Sequence, residues 1–122
     1  MNDFVILLNN HDFETATKIL SIYPDMVDSA IPINGGTPLL VEYSHRNDYD
    51  VVCFLLDQNA NPNCQSGMGG YSSVHLAQSC LIVYELITAG INLEIRDRDV
   101  GLSVEEIIHE RWSHLCCDCD SG

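Results

Sequence analysis

The sequence predicts an all-α chain of helical pairs laid one after another, and three observations carry that prediction. An apolar stripe at i, i+1, i+4, i+5 occurs twice, as Val51, Val52, Leu55, Leu56 and as Ile82, Val83, Leu86, Ile87. That spacing is one face of an α-helix. A hydroxyl residue stands at three helix starts, Thr37, Ser72 and Ser103, where a side-chain oxygen accepts a bond from an orphan first-turn amide. The interval from the end of a loop to the next of these residues is nine every time, from Asp28 to Thr37, Asn63 to Ser72 and Glu94 to Ser103. A fixed interval is what a hairpin-like connection between stacked units demands.

Each element follows from local signals. Phe4, Leu7 and Leu8 give a short apolar face for a first helix near 2–9. A second, near 12–22, starts at Asp12 with Glu14 in its first turn, carries Ala16, Ile19 and Leu20, and ends before Tyr23-Pro24. Thr37 followed by Pro38 reads as an N-cap with proline at the first helical position, opening a helix over 37–45. The Val51 stripe sits on a helix over 49–58, and Asn59 follows it as a left-handed C-cap residue. Helices over 72–78 and 80–89 repeat the arrangement, with Ser72 as cap and Gly90 closing. Ser103 and Glu106 form an S-x-x-E capping box for a last helix over 103–113, whose apolar face is Ile107, Ile108 and Trp112. Segments 29–36, 64–71 and 95–102 are expected to be extended fingers.

The run Gly36-Thr37-Pro38-Leu39-Leu40, then Val51-Val52-Cys53-Phe54-Leu55-Leu56, then Asn59-Ala60-Asn61-Pro62-Asn63 resembles the ankyrin repeat, whose signature is G-x-T-P-L-H-x-A, V-V-x-x-L-L and G-A-x-x-N. Tyr71-Ser72-Ser73-Val74-His75-Leu76-Ala77 is similar to the same motif. The resemblance implies an ankyrin-repeat solenoid of stacked helix-turn-helix units with extended finger loops. Its units would run over about 2–28, 35–63, 69–94 and 101–113, within one domain over 1–114 followed by a Cys-rich tail over 115–122. It also implies that His75 is a structural hydrogen-bonding residue, and that partners meet a concave face made by finger tips and first helices. Two departures from the pattern stand out. The helix-to-helix interval is longer in the second unit and shorter in the third, and Glu42 stands where the family has a buried alanine, to be either rotated out or paired.

Eighteen acidic residues against five Lys and Arg give a net charge of −13. Such a surface repels nucleic-acid phosphates and anionic membranes and attracts basic partners. It also exceeds the magnitude of about 2–8 that solubility asks of a small domain. There is no signal-peptide pattern and no apolar run near membrane-spanning length, so the expected location is the cytoplasm. Cys53, Cys64 and Cys80 are scattered singly while Cys116, Cys117 and Cys119 crowd the tail, which reads as reduced thiols rather than a disulfide framework.

No nucleophile, base and oxyanion donor assemble at a recognisable spacing, so no enzyme activity and no cofactor are expected. The tail's His109, His114 and three cysteines lack the pair-of-pairs spacing of a tetrahedral zinc site, and no metal is assigned there. Candidate partner-binding residues are the charged finger Arg96, Asp97, Arg98 and Asp99, and the contact positions Asn34, Tyr43, His45, Met68 and Tyr71. In an extended finger, alternation would put both arginines on one side and both aspartates on the other. The leading reading is a non-catalytic module, monomeric or weakly dimeric, that binds and inhibits or masks one basic protein, as an immunity or antitoxin protein does. The rivals are an adaptor or effector docking a host or signalling protein, and a metal- or redox-responsive protein acting through the tail cysteines.

Overall fold

The structure is a computed structural model and describes residues 2–32 and 36–112. Seven α-helices are present among the described residues: α1 (Asn2–Asn9), α2 (Phe13–Ile22), α3 (Leu39–His45), α4 (Tyr49–Asp57), α5 (Ser73–Leu76), α6 (Cys80–Thr88) and α7 (Val104–Ile107). A 3-10 turn, Pro24–Asp28, follows α2, and a π-helical segment, Ile108–Trp112, continues α7. The helices pack as pairs, α1 on α2, α3 on α4 and α5 on α6, and like members of successive pairs also meet: α3 touches α5, α4 touches α6 and α5 touches α7. This is an all-α repeat fold.

The caps are largely those expected from the sequence. Asp12 accepts the Thr15 N–H, Ser72 accepts that of His75, and Ser103 accepts that of Glu106 in a reciprocal capping box. Asn59 takes φ +69 and Gly90 φ +91, the left-handed conformation that lets the chain leave a helix while satisfying its last carbonyls. The start of α3 differs from expectation. Pro38 is its N-cap, with extended backbone and no side-chain cap bond. Thr37 and Pro38 instead form a short strand, β2, paired antiparallel with Ala30–Ile31, β1. Proline lacks an N–H but keeps its carbonyl, so it can serve the strand and then hand over to the helix.

The three fingers share this pairing. Gln65 bridges to Ser72 and Arg96 to Ser103, where β1 pairs with β2 in the first finger. Successive fingers are also joined through the backbone: the Gly67 N–H donates to Gly36 O at 2.9 Å and the Arg98 N–H to Gly69 O at 2.7 Å. Both donors stand five residues before their unit's cap residue.

One apolar core runs the length of the stack. Phe4, Leu8, Ala16 and Leu20 begin it, Leu39, Leu40, Val51, Val52 and Leu55 continue it, and Val74, Ile82, Val83, Leu86, Val104 and Ile107 extend it. The final stripe position is the weakest in both outer helices, since Leu56 is half-buried and Ile87 is exposed. Phe13 and Phe54 stack at 4.7 Å with 17° between their planes, joining α2 to α4. Such a pair adds about 0.5–1.5 kcal/mol beyond its buried area.

The length difference between the second and third pairs falls in the first helices and not in the inter-helix turns, since α3 has seven residues and α5 four while each turn has three. In the second pair, Arg46 to Asp48 link α3 to α4, and Asn47 takes φ +60. In the third, α5 is only one turn long and Ala77 already leaves the helix. Glu42 is paired rather than rotated out: the Arg46 Nε donates to its carboxylate at 2.6 Å. No helix among the described residues is long and apolar enough to cross a membrane. The tail with Cys116, Cys117 and Cys119 lies outside the described residues.

Candidate functional site

The fingers and the helices α3 and α5 border a groove of about 300 Å³. From α3 it receives Glu42 and His45; from the second finger Ser66, Met68 and Tyr71; from the third finger Asp99; and Thr37 and Leu76 complete its wall. Local chemistry fixes each contributor. Glu42 and His45 are three apart on one helix and so share a face. Ser66 is buried, its hydroxyl donating to the Met68 carbonyl at 2.7 Å and accepting the Tyr71 N–H at 3.0 Å. These two hydrogen bonds tie the finger into a tight turn that carries Met68, 64% exposed, at its tip.

Tyr71 and Asp99 close the groove between two fingers. The Tyr71 hydroxyl donates to Asp99 Oδ2 at 2.5 Å. This bond raises the phenol's pKa above its ordinary value, helped by partial desolvation and by the negative charges of Asp99 and Asp97. Gly69 makes the approach possible: at φ +77 it carries no Cβ, and one placed there would stand 2.4 Å from the Tyr71 ring.

The chain's own cations are spoken for. Arg46 binds Glu42, reaches Asn9 Oδ1 at 3.0 Å and lies over the Tyr43 ring. Arg96 donates to the Gly101 carbonyl at 2.6 Å and to Glu106 at 2.8 Å. The Ser103 N–H and hydroxyl, and after them the Arg96 guanidinium, lower the Glu106 pKa. Arg98 turns back across Gly70 to donate to the Gly67 carbonyl. Among the described residues, no lysine or arginine pairs with Asp99.

Beside the groove lies a buried polar chain. The Ser72 N–H donates to His75 Nδ1 at 3.2 Å, so the proton sits on Nε2, which donates to the Leu102 carbonyl at 2.7 Å. Asp97 Oδ1 stands 3.7 Å from Nε2. Burial pushes the Asp97 carboxyl up, but the N–H groups of Val100, Leu102 and Gly101, with His75 beside them, outweigh it and hold the pKa below the ordinary value. Ser72, His75 and Asp97 thus stand in the order of nucleophile, base and orienting acid. Ser72 is fully buried, however, and its hydroxyl is engaged by His75 on both its ring and its backbone. A nucleophile closed to solvent reaches no substrate, and the chain of bonds joins the third pair to the fourth.

The structure brings His45, Met68, Tyr71 and Asp99 together around one groove. It moves two other candidates inside. Tyr43 is fully buried, not a surface contact: its hydroxyl donates to Asn9 Oδ1 at 2.6 Å, and its ring fills the space between α1 and α3. Asp97 is 4% exposed, held by its own finger's N–H groups. The expected segregation of arginines and aspartates therefore fails, because the finger folds into a turn around Asp97 instead of staying extended. Arg96 and Arg98 are exposed but committed to the contacts above. Asn34 lies outside the described residues. Glu42, Ser66 and Leu76 are lining residues that the sequence reading did not select. Glu42's departure from the family alanine was the one available signal, and Glu42 lines this groove.

The geometry of paired helices and fingers agrees with the comparison with known families. Residues 34–67 match the family model of the ankyrin repeat. That segment runs from the end of the first finger through α3 and α4 into the second finger. Ankyrin repeats generally mediate protein–protein interaction and typically carry no catalysis. The match at 34–67 supports an ankyrin-repeat family for this chain.

Proposed function

We propose that this chain is a four-unit ankyrin solenoid, cytoplasmic and non-catalytic, that captures one basic protein on its concave face. Capture would inhibit or mask that partner, in the manner of an immunity or antitoxin protein. The observation that supports this reading is the groove between fingers and first helices, bordered by Asp99 with no cation of its own, on a chain whose net charge is −13. Such a field speeds encounter with a positive surface and disfavours acidic partners.

The test is affinity capture from the native host at low ionic strength and again near 1 M salt, where the screening length falls to about 3 Å. The expected result is one basic protein at 1:1, released by salt, whose own activity disappears when the complex forms. A neutral or acidic partner that survives high salt overturns the inhibitor reading. The exposed Met68 and half-buried Tyr71 on the same groove favour the adaptor in that event, since such side chains anchor interfaces without charge.

A further inference from the structure

We infer that the groove receives an arginine side chain of the partner, with Asp99 as the counter-charge and Tyr71 as the surface on which the guanidinium lies. The inference rests on the reading of this chain as a binding module and makes its recognition chemistry specific.

Three observations converge on a planar cation. Asp99 is exposed and borders the groove, and the Tyr71 hydroxyl fixes one of its oxygens at 2.5 Å. The carboxylate is therefore oriented, and its Oδ1 has no partner among the described residues. Every arginine near it is turned elsewhere, Arg46 to Glu42 and Arg98 to the Gly67 carbonyl, so the charge is left for a ligand. Met68 and Tyr71 supply apolar surface on the same finger. A carboxylate beside an aromatic face suits a guanidinium, which is flat, weakly hydrated and able to donate and stack at once. An acidic or purely apolar side chain would bury Asp99 against nothing that compensates its lost water.

The contrast with Glu42 sharpens the assignment. Both acids line the groove, but the Glu42 carboxylate is already neutralised by Arg46 at 2.6 Å. One charged seat remains, which fits one arginine.

The probe is an acetylated, amidated pentapeptide with arginine at its centre and glycine elsewhere, titrated into the ¹⁵N-labelled full chain. Its comparison is the same peptide with citrulline, which keeps the shape of arginine and removes the charge. The expected result is saturable shifts centred on His45, Met68, Tyr71 and Asp99, and at least tenfold weaker binding of the citrulline peptide. Asp99→Asn should weaken the arginine peptide at least tenfold. An asparagine still accepts the Tyr71 hydroxyl, so the fold is kept, which unchanged resonances elsewhere verify. Asp57→Asn, on the outer helix α4, should bind as the native chain does. Equal binding of both peptides, or equal binding by Asp99→Asn, overturns the inference. If Asp99→Asn still captures the basic partner at full strength, the inference falls while the binding-module reading stands. If the peptide binds as expected but no basic protein is captured, the seat stands and the inhibitor reading falls.

Discussion

Asp28 and Asn63 do the same job in successive parts of the chain. Asp28 Oδ1 accepts the Asn61 N–H at 2.8 Å, and Asn63 Oδ1 accepts the Asn92 N–H at 2.6 Å. Each receiving loop is itself folded by its asparagine, since Asn61 Oδ1 accepts the Asn63 N–H and Asn92 Oδ1 that of Glu94, both at 2.9 Å. A side chain at the end of one outgoing loop thus satisfies a backbone donor in the next, and these two acceptors are the residues from which the nine-residue intervals to Thr37 and Ser72 start.

Asn63→Ala removes a rung without touching the core. The expected loss is about 0.5–1.5 kcal/mol, the net worth of one exposed-to-intermediate hydrogen bond. Asn63→Asp, which keeps the acceptor as Asp28 does, should lose less. Urea unfolding monitored by circular dichroism reads both, with the m-value unchanged.

Asp97 makes the fold sensitive to acid. Its folded-state pKa lies below the ordinary value, so its contribution is complete above the unfolded-chain pKa of about 3.9. That contribution drains away as pH falls from there through the lower folded value. Asp97→Asn should cost about 1–3 kcal/mol at neutral pH, because an amide nitrogen must face N–H donors. The gap between native chain and variant should then close as pH falls below about 4. A gap that stays constant with pH would contradict this account.

Gly69→Ala tests how the groove is built. At φ +77 an added Cβ costs about 1–2 kcal/mol from backbone strain alone, and it displaces the Tyr71 ring it would meet. The expected outcome is lower stability together with loss of the Tyr71–Asp99 bond. A downward move of the Tyr71 pKa, read by ultraviolet titration, reports the lost bond. Gly90→Ala, also at positive φ but with nothing near its Cβ, should cost stability while leaving Tyr71 unchanged.

Cys64 should be inert in the folded chain. Burial, with the charge of Asp28 nearby, pushes its thiol pKa up to about 12, and the thiolate is the reactive form. Iodoacetamide at pH 8 should leave Cys64 unmodified in the native protein and alkylate it in urea, as peptide mass spectrometry reads directly.

Element by element, the helices were legible because their signals are local. The stripes Val51–Leu56 and Ile82–Ile87, the Ser103–Glu106 box and the turn residues Asn59 and Gly90 each act within about one helical turn. The start of α3 was misread for the same reason. Thr37-Pro38 carries a helix-start signal, yet pairing with Ala30–Ile31 draws both residues into a strand. Tyr43 was misplaced because one turn of α3 offers similar local cues on either side, and only the arrival of α1 decides which side is buried.

By itself the sequence determined the order of the helices, which stripe faces the core, and that the chain is strongly acidic. These follow from periodicity, capping and charge count, all of which are properties of neighbouring residues. Only the tertiary structure decided which charges are free. Asp97 and Asp99 are two residues apart with the same side chain, yet one is buried in N–H donors and the other borders an open groove. The difference comes from contacts with Tyr71, His75 and Gly69, which lie some twenty to thirty residues away in the chain. The fold, not the local sequence, brings them together.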